Sequence, residues 1–384
     1  MRIYDSLSSS KQKLDLNDVV RILVCGPTVY DFTHIGHARL LVFYDLFARY
    51  LASKGILPFV ILNITDIDIK IYRKAAEEGI QLNELADRFI DALICDMSLL
   101  GISDAFCLAR VSDHMIFAQS AVRNLLARQK AYSAGGNIYL DTSQIPFHGS
   151  LAKMKRHDFE NCRLDIAPGK RRTPDILIWN AAENFDGMTF PDNVLGEGIP
   201  WWHLQDSSVA MAIFDGKYDL QGGAVELVYP HHESHLAQLC SLTLESNPVK
   251  YWLHIGLVYV NGMKMSKSLQ NTVRVRDLLQ KYGSNVIKLY LLSFHYRKQL
   301  DFSEKDLARF SKIDNDFASV LSDGKRNKTP KDDNSQGRHS FAGFVACLEN
   351  DFDTSGALKI MISSARRGMK PDLARMVKIF GLRY

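Results

Sequence analysis

The pattern of apolar residues in the first hundred positions most limits how this chain can fold. Residues 20–25 form a short apolar run with β-branched side chains, typical of a buried strand, and Gly26 follows at a turn. Apolar residues then recur at spacings of three and four over 38–52, which predicts an amphipathic helix. A strand over 58–64 and a helix over 83–100 continue the alternation. This order predicts an α/β fold with half of a doubly wound, Rossmann-like parallel sheet.

Two histidines, His34 and His37, lie where the first predicted strand leads into the first predicted helix. At such a junction, backbone N–H groups and the helix dipole favour an anion. The two side chains are three residues apart, so on a first helical turn they face the same way. Gly36 between them lets a ligand approach the backbone closely. The arrangement suits the phosphates of ATP; the alternative is two surface histidines at an ordinary helix start.

A second motif lies about 230 residues downstream, where Lys264 and Lys267 flank small residues that include Ser266. Such a segment is typical of a mobile loop. Two ammonium groups on it can close over a triphosphate and stabilise the charge that develops on a leaving pyrophosphate. A solvated lysine pair is the alternative. Together the motifs predict activation of a carboxylate by ATP with Mg²⁺, and the catalytic residues are then His34, His37, Lys264 and Lys267.

Several longer stretches resemble one family. They are CGPTVYDFTHIGHAR at 25–39, LNITDID at 62–68, KRRTPDILIW at 170–179, WWHLQDSS at 201–208, YPHHESHLAQ at 229–238, YWLHIGLVYVNGMKMSKSLQN at 251–271 and LYLLSFHYRKQLDFSEKDL at 289–307. With these motifs the chain resembles the class I aminoacyl-tRNA synthetases, and specifically the cysteinyl-tRNA synthetases. The two ATP motifs are shared by the whole class, whereas the cysteine- and histidine-containing stretches are more specific. The similarity is weaker beyond residue 307.

The resemblance implies a split Rossmann core with a connective insertion and a C-terminal helical bundle. The first half of the core is expected over 1–110, the insertion over 111–195 and the second half, with the lysine loop, over 196–301. The bundle is expected over 302–384. Residues 322–340 are polar, charged and nearly free of hydrophobic side chains, so they are predicted to form a disordered linker within it.

The resemblance also implies where the substrates bind. In the family, a glycine-rich stretch contacts adenosine and the amino group, and here it reads Gln221 to Glu226 and keeps two glycines. The residues implied for ATP are Gly222, Gly223, Glu226 and Ser266. The residues implied for the cysteine substrate are Gly26, Thr65 and Trp202. A tryptophan at position 202 is equally typical of a hydrophobic core.

Cysteinyl-tRNA synthetases hold a zinc ion that binds the substrate thiolate, and the resemblance places its ligands at Cys25, Asp206, His231 and His235. The family has a cysteine at the second of these positions and a glutamate at the fourth. Zinc–sulfur bonding separates cysteine from serine, which a pocket selects poorly by size. Imidazole and carboxylate are ordinary zinc ligands, and His231 and His235 share a face if they lie on a helix. The alternative is a decayed metal site in which Asp206 is only a polar pocket residue.

Two basic clusters are the candidate contacts with nucleic acid: Lys153, Lys155, Arg156 and His157, then Lys170, Arg171 and Arg172. Solvated basic loops are the ordinary interpretation, and binding of a tRNA acceptor end is the functional one. The family's C-terminal anticodon-recognising extension has no counterpart here, which puts recognition of a whole tRNA in doubt. The main hypothesis is a cysteine–tRNA ligase. The alternatives are a ligase that joins the activated amino acid to a small amine, as in mycothiol synthesis, and a non-catalytic paralogue.

Composition sets wider bounds on the 384-residue chain. Its 46% hydrophobic and 23% charged residues are ordinary for a globular protein, and a net charge of +4 neither demands nor excludes nucleic acid as a partner. No apolar run of 18 residues and no secretory signal is present, so no membrane span is expected. Six cysteines without paired spacing predict a reducing, cytoplasmic setting. The oligomeric state is left open.

Overall fold

The computed structural model describes residues 1–161, 169–181, 189–265, 269, 271–322 and 334–384. Its strands are β1 (Arg2–Asp5), β2 (Ser10–Lys13), β3 (Val19–Thr28), β4 (Leu57–Thr65), β5 (Phe106–Arg110), β6 (Ala131–Ala134), β7 (Asn137–Leu140), β8 (Ile176–Ala181), β9 (Gly198–Pro200), β10 (Tyr218–Ala224), β11 (Val249–Ile255), β12 (Val258–Val260), β13 (Met263–Lys264) and β14 (Leu300–Phe302). Its helices are α1 (Ile35–Ser53), α2 (Ile69–Glu78), α3 (Leu82–Leu100), α4 (Met115–Ala127), α5 (Trp202–Phe214), α6 (Glu233–Thr243), α7 (Val275–Leu292), α8 (Glu304–Ser322), α9 (Asn334–Glu349), α10 (Thr354–Arg366) and α11 (Lys370–Ile379).

Five parallel strands form the central sheet in the order β11–β10–β3–β4–β5. The earliest of them in the chain, β3, lies in the middle, with Ile22 opposite Leu220 of β10 and Val60 of β4. The chain therefore builds the sheet outward from β3 in both directions. The carboxyl ends of β3 and β10 face one crevice at the point where the strand order reverses, which is where ligands bind in such sheets. The predicted doubly wound fold is confirmed.

The first half of the sheet is built from the elements that the sequence predicts. Observed β3, α1, β4 and α3 each begin slightly before the position indicated by the apolar pattern. The largest difference is at α1, which begins at Ile35 because the side chain of His34 caps it. His34 Nδ1 accepts hydrogen bonds from the N–H groups of Gly36 and His37 at 3.1 and 3.3 Å. Capping satisfies N–H groups that a helix start leaves without a partner.

The insertion between the two halves forms an antiparallel sheet in the order β6–β7–β8–β9. Its last strand pairs with β8 and places Pro200 opposite Trp179, so the insertion extends five residues beyond its predicted end at 195. A strand of three residues is too short to show an alternating pattern in the sequence. Trp179 is fully buried and shares an apolar cluster with Leu204 of α5. The insertion is thus packed against the second half of the core.

The remainder of the chain is helical, as predicted, and follows a small sheet in the order β13–β12–β14. The predicted disordered linker, 322–340, meets a helix at both ends, because α8 runs to Ser322 and α9 begins at Asn334. Residues 323–333 lie outside the described residues. Residues 334–340 of the predicted linker belong to α9, which buries Phe344 and Leu348 further along.

A buried lysine ties the bundle to the first half of the core. Lys288 of α7 donates from Nζ to the main-chain oxygens of Gly101 and Gly381 at 3.0 and 2.8 Å. Its Nζ also lies 3.5 Å from Asp45 Oδ2 in α1. Burial lowers the pKa of Lys288 to about 8, and the Asp45 carboxylate opposes that shift. One buried ammonium group therefore joins the ends of α3 and α11 to α1.

The composition led to expectations about membrane-spanning helices and about the cysteines. Within the described part of the chain, no helix is both long and apolar enough to cross a membrane. The described cysteines, Cys25, Cys95, Cys107, Cys240 and Cys347, are all free thiols. The remaining cysteine, Cys162, lies outside the described residues.

Candidate active site and metal centre

A cavity of about 940 Å³ opens at the carboxyl ends of β3 and β10. Its walls come from the starts of α1 and α5, the turn before α6, and the segment around β13. Residues from both halves of the core line it, among them Cys25, Gly26, His34, His37, Thr65, Trp202, Gln205, Glu226, His231 and Lys264. Most of the predicted site residues thus converge on one cavity, at the position that the sheet topology indicates.

The two histidines of the first motif lie at the start of α1, as predicted. Their rings stack with centroids 3.7 Å apart and planes inclined by 15°. Because His34 Nδ1 accepts two backbone hydrogen bonds, the proton of the neutral His34 ring lies on Nε2. Burial, and then the neighbouring His34, hold the pKa of His37 well below its ordinary value. His37 is therefore neutral at pH 7 and can act on an anion through hydrogen bonding.

The start of α1 is joined directly to the chain that follows the lysine loop. The Ile35 N–H donates to the Val273 oxygen at 2.9 Å, and the Val275 N–H donates to the Thr33 oxygen at 3.0 Å. These two bonds flank a bridge between His34 and residue 274. The carboxyl end of the loop is therefore fixed within one residue of the histidine motif.

The amino end of the lysine loop is fixed by Arg39, which the sequence analysis did not identify. Its side chain is 3% exposed, and its guanidinium donates only to main-chain oxygens among the described residues. The acceptors and distances are Gly256 at 2.8 Å, Leu257 at 3.1 Å, His295 at 3.2 Å, Tyr296 at 3.5 Å and Lys298 at 2.7 Å. Burial lowers its pKa to about 10, so the group remains charged at pH 7. Arg39 thereby joins α1 to the turn that leads into β12.

The residues predicted to bind ATP separate into two groups. Lys264 and Glu226 line the cavity and form an exposed ion pair with each other. Lys267 and Ser266 lie outside the described residues. The ion pair brings together two side chains that the sequence assigned to the same nucleotide, and an exposed pair of this kind contributes little to stability.

The two glycines predicted to bind the nucleotide pack closely against aromatic side chains of the protein. Gly222 and Gly223 are buried in β10 and are absent from the described lining of the cavity. A Cβ atom at Gly222 would lie 2.4 Å from the Tyr44 ring, and one at Gly223 would lie 2.6 Å from the His232 ring. Glycine is needed at both positions because aromatic side chains of the protein occupy that space, and contact with the nucleotide stays a prediction.

Three of the four predicted zinc ligands meet at the cavity floor. Cys25 Sγ lies 2.8 Å from Asp206 Oδ2 and 3.1 Å from His231 Nε2. The same nitrogen lies 3.2 Å from Asp206 Oδ2. Trp202 stacks on the His231 ring with centroids 4.5 Å apart and planes 5° apart, which fixes the orientation of that ligand. Thiol, carboxylate and imidazole within hydrogen-bonding distance are a donor set that zinc accepts.

The negative charge in this cluster favours binding of a cation. Burial opposes ionisation of Asp206, but His231 and further hydrogen bonds outweigh it and hold the pKa of Asp206 at about 2. Burial, reinforced by the Asp206 charge, raises the pKa of the Cys25 thiol well above its ordinary value. The cluster is therefore a buried anion beside a protonated thiol, and a metal ion would displace the thiol proton and compensate the carboxylate charge.

The structure does not bring the fourth predicted ligand into this cluster. Within the described residues, the group whose ligand atoms all lie within 4.8 Å of one another contains Cys25, Asp206, His231 and His232, and it does not contain His235. Both ring nitrogens of His235 are engaged elsewhere, with Ser207 Oγ at 2.8 Å and Tyr218 Oη at 2.7 Å. The other three predicted ligands and His232 are brought together.

The chain before α6 explains why His231 and His235 do not meet. The resemblance placed both as ligands, and they would share a face on a continuous helix, but α6 begins only at Glu233. Residues Val228–His232 form an irregular turn in which Tyr229 is extended, with φ −134° and ψ 135°. The four-residue spacing therefore does not apply to His231. His232 Nδ1 lies 2.8 Å from His254 Nε2, and His232 Nε2 has a longer contact of 3.4 Å with Gln221 Nε2.

The residues predicted to contact the amino acid also line the cavity. Gly26 follows Cys25 and lies so close to β4 that a Cβ atom would be 2.0 Å from the Asn63 oxygen. Thr65 ends β4, and Trp202 begins α5. Gln205, which the sequence analysis did not select, lines the same wall one turn after Trp202.

Both basic clusters are partly engaged by the protein itself. In the second cluster, Arg172 forms an ion pair with Asp141. In the first, Lys153 Nζ donates to the Leu7 oxygen, whereas Lys155 is exposed. Lys155 is therefore a candidate for contact with an anionic partner.

The first basic cluster is connected to the metal centre by Glu233. This buried carboxylate accepts hydrogen bonds from the N–H groups of Gly149, Leu151 and Ala152 at 2.7, 2.9 and 2.9 Å. Burial raises the pKa of Glu233, and the three backbone donors oppose that rise. Because Glu233 directly follows the two cluster histidines, it fixes the turn before Lys153 relative to them.

Comparison with known proteins agrees with this architecture. Residues 11–312 match the family model described as tRNA synthetases class I (C) catalytic domain. A cysteine–tRNA ligase from Thermococcus gammatolerans is 37% identical over 310 residues, which cover 80% of this chain and 64% of that protein. One from Methanococcus aeolicus is 33% identical over 374 residues, which cover 94% of this chain and 77% of that protein. The chain thus spans about 64% of the length of the Thermococcus relatives.

Solved structures show the same fold at low sequence identity. Methionyl-tRNA synthetase from Mycobacterium tuberculosis, in complex with methionyl-adenylate, matches with a TM-score of 0.69 and 15% identity over 94% of this chain and 88% of that one. The LeuRS–tRNA–LeuAMS complex from Agrobacterium radiobacter K84 matches with a TM-score of 0.64 and 11% identity over 94% and 82%. The fold and the site define a class I aminoacyl-tRNA synthetase domain. With the family model and the relatives, they show that the chain belongs to the cysteinyl-tRNA synthetase family.

Arg39→Lys is expected to loosen the attachment of the lysine loop while the central sheet keeps its stability. Lysine has fewer donors than arginine and cannot reach all five carbonyl oxygens. Backbone amides of Gly256, Lys298 and Leu300 should exchange with deuterium about tenfold faster, corresponding to loss of about one hydrogen bond. Amides of β4 should be unchanged.

Lys288→Met is the matched control for Arg39→Lys, because it removes another buried cation that binds main-chain oxygens, here those of Gly101 and Gly381. Its effect should fall on amides near residues 101 and 381, with the amides around Gly256 unchanged. Equal loosening of both regions in both variants would contradict the assignment of Arg39 to the lysine loop.

His232→Ala is expected to lose zinc, and His235→Ala is expected to keep it. Both side chains are fully buried, so both substitutions remove a similar core volume, and only His232 belongs to the ligand cluster. Protein purified without chelator and analysed by atomic emission should hold about one zinc per chain in the wild type and in His235→Ala. Loss of zinc in both variants would restore His235 to the ligand set.

Proposed function

We propose that this chain activates cysteine with ATP to form cysteinyl-adenylate and pyrophosphate, and then transfers the cysteinyl group to the acceptor end of tRNA. The observation that carries the proposal is the cluster of Cys25, Asp206 and His231 at the floor of a cavity that the two histidines of the first motif and Lys264 also line. A thiol-binding metal centre and a phosphate-binding helix start then lie on opposite sides of one small substrate. The cysteine–tRNA ligases that match the chain support the same assignment.

ATP is expected to bind with its phosphates at the start of α1. Neutral His37 and the Nε2–H of His34 can donate hydrogen bonds there without adding charge to the free protein. Lys264 is paired with Glu226, and the triphosphate offers the lysine a stronger partner. Release of Glu226 would then leave this carboxylate for the ribose hydroxyls. Lys264, together with Lys267, would stabilise charge on the departing pyrophosphate, with Mg²⁺ shared between its oxygens.

Zinc fits the residues at the cavity floor, since one thiol, one ionised carboxylate and two imidazoles meet there. We assign Cys25, Asp206, His231 and His232 as its ligands. When bound, the ion would take the substrate thiolate as a further ligand and so favour cysteine over serine. Trp202 orients His231, and His254 orients His232.

The proposed acceptor is the end of a tRNA. Exposed Lys155 can meet phosphates electrostatically, and Glu233 fixes the turn beside it relative to the metal centre. Such electrostatic contacts give affinity without recognising bases, so they do not identify the acceptor. The identity of the acceptor is therefore tested by a separate assay. Transfer of labelled cysteine to tRNA, to an acceptor-stem minihelix and to small amines, compared side by side, separates the tRNA ligase from a small-molecule ligase.

Lys264→Ala and Lys267→Ala are each expected to slow cysteine-dependent pyrophosphate exchange by about a hundredfold, the scale of losing one electrostatic stabiliser of the transition state. The exposed Lys305→Ala is the control and should leave the rate unchanged. Exchange should depend on cysteine when all twenty amino acids are compared.

Three results would count against the proposed function. Exchange at the wild-type rate in both lysine variants would remove the ATP assignment. Exchange that depends on an amino acid without a thiol would remove the substrate assignment. Transfer of cysteine to small amines but not to tRNA would replace the acceptor while leaving the activation step intact.

A further inference from the structure

A buried glutamine on the cavity wall has one polar atom that the protein leaves without a partner. Gln205 is 1% exposed and lies on the first turn of α5, adjacent to Asp206. Its Oε1 atom has no hydrogen-bond partner among the residues that the structure describes. A buried acceptor without a donor is costly, so such an atom in a binding cavity indicates a place for a ligand.

The orientation of the Gln205 amide is fixed by two main-chain oxygens. Its Nε2 donates to the Ile67 oxygen at 2.8 Å and to the Pro200 oxygen at 3.2 Å. Exchanging the amide oxygen and nitrogen would place Oε1 against both of these acceptors, which is unfavourable. The remaining atom is therefore an acceptor, and its partner must be a donor. A carboxylate or phosphate cannot fill that role.

The position of Gln205 selects the donor. The residue lines the cavity together with Cys25, Thr65 and Trp202, and its chain neighbour Asp206 belongs to the metal cluster. In cysteine the nitrogen is three bonds from the sulfur, so a substrate whose thiol lies at the cluster carries its amino group close by. We propose that Gln205 Oε1 accepts a hydrogen bond from the α-ammonium group of the amino-acid substrate. This inference rests on the proposed function.

The contact would give the site a second form of selectivity. The metal cluster distinguishes a thiol from a hydroxyl, whereas Gln205 distinguishes an α-amino acid from a thiol acid that lacks the amino group. A ligand without the ammonium would leave Oε1 unsatisfied, and a site with a buried unpaired acceptor rejects such analogues strongly. Gln205 is thus assigned as a substrate-binding residue for the amino group.

The test compares L-cysteine with 3-mercaptopropionate, which keeps the thiol and the carboxylate but lacks the ammonium. Dissociation constants are measured by calorimetry with metal-containing protein, for the wild type, Gln205→Met and Gln205→Glu. Both variants lose the donation to Ile67 and Pro200, and only the glutamate keeps an acceptor. Gln205→Met should weaken cysteine about tenfold or more and leave 3-mercaptopropionate unchanged. Gln205→Glu should keep the preference for cysteine.

Gln238→Met is the matched control. Gln238 is also a fully buried glutamine with one unpartnered amide atom among the described residues, but it accepts from Ser207 and is not part of the described cavity lining. It should not alter the preference between the two ligands. If Gln205→Glu does not fold, the comparison of the two methionine variants still decides the result.

The outcomes separate this inference from the proposed function. Two results would overturn the inference and leave Gln205 with only a structural role in the cavity wall. In the first, the wild type binds both ligands and Gln205→Met weakens their binding equally. In the second, Gln205→Glu loses the preference for cysteine as fully as Gln205→Met does. If the wild type binds neither thiol, the proposed function itself fails, and the inference fails with it.

Discussion

The buried guanidinium of Arg39 is the contact on which the geometry of the whole site depends. Arg39 lies on the helix that starts at the two histidines. All the described acceptors of its guanidinium are main-chain oxygens in turns beside the lysine loop. Binding main-chain oxygens fixes the position of those turns whatever their side chains are. Together with the bonds from residues 33–35 to 273–275, it ties both ends of the segment that carries Lys264 to the helix of the two histidines.

A second constraint is the ionised carboxylate of Asp206 at the floor of the same cavity. It is buried, it is held charged by His231, and it contacts a thiol that burial keeps protonated. Such a group is stable in a protein interior only beside a cation or strong donors. With Cys25, His231 and His232 this carboxylate forms the candidate ligand group, in which a carboxylate stands where the family has a cysteine.

Local pattern explains what the sequence could predict. The strand at 20–25 and the helix at 38–52 follow from apolar periodicity, and the histidines and Cys25 follow from their places at the end of that strand. The rest depends on contacts that sequence spacing does not report. His235 was selected from its place in the family's motif, and the irregular turn before α6 separates it from His231. The partners of Arg39 lie more than 200 residues away, and Gln205 is notable only for an acceptor that folding leaves unsatisfied.

Binding of the substrate thiol at this metal centre is tested most directly by zinc K-edge X-ray absorption. Protein as purified should show one sulfur neighbour per zinc, from Cys25, and nitrogen or oxygen neighbours from Asp206, His231 and His232. Saturation with L-cysteine should raise the count to two sulfur neighbours, whereas L-serine should leave it at one. A spectrum that does not change with cysteine, or two sulfur neighbours before cysteine is added, would contradict the proposed centre.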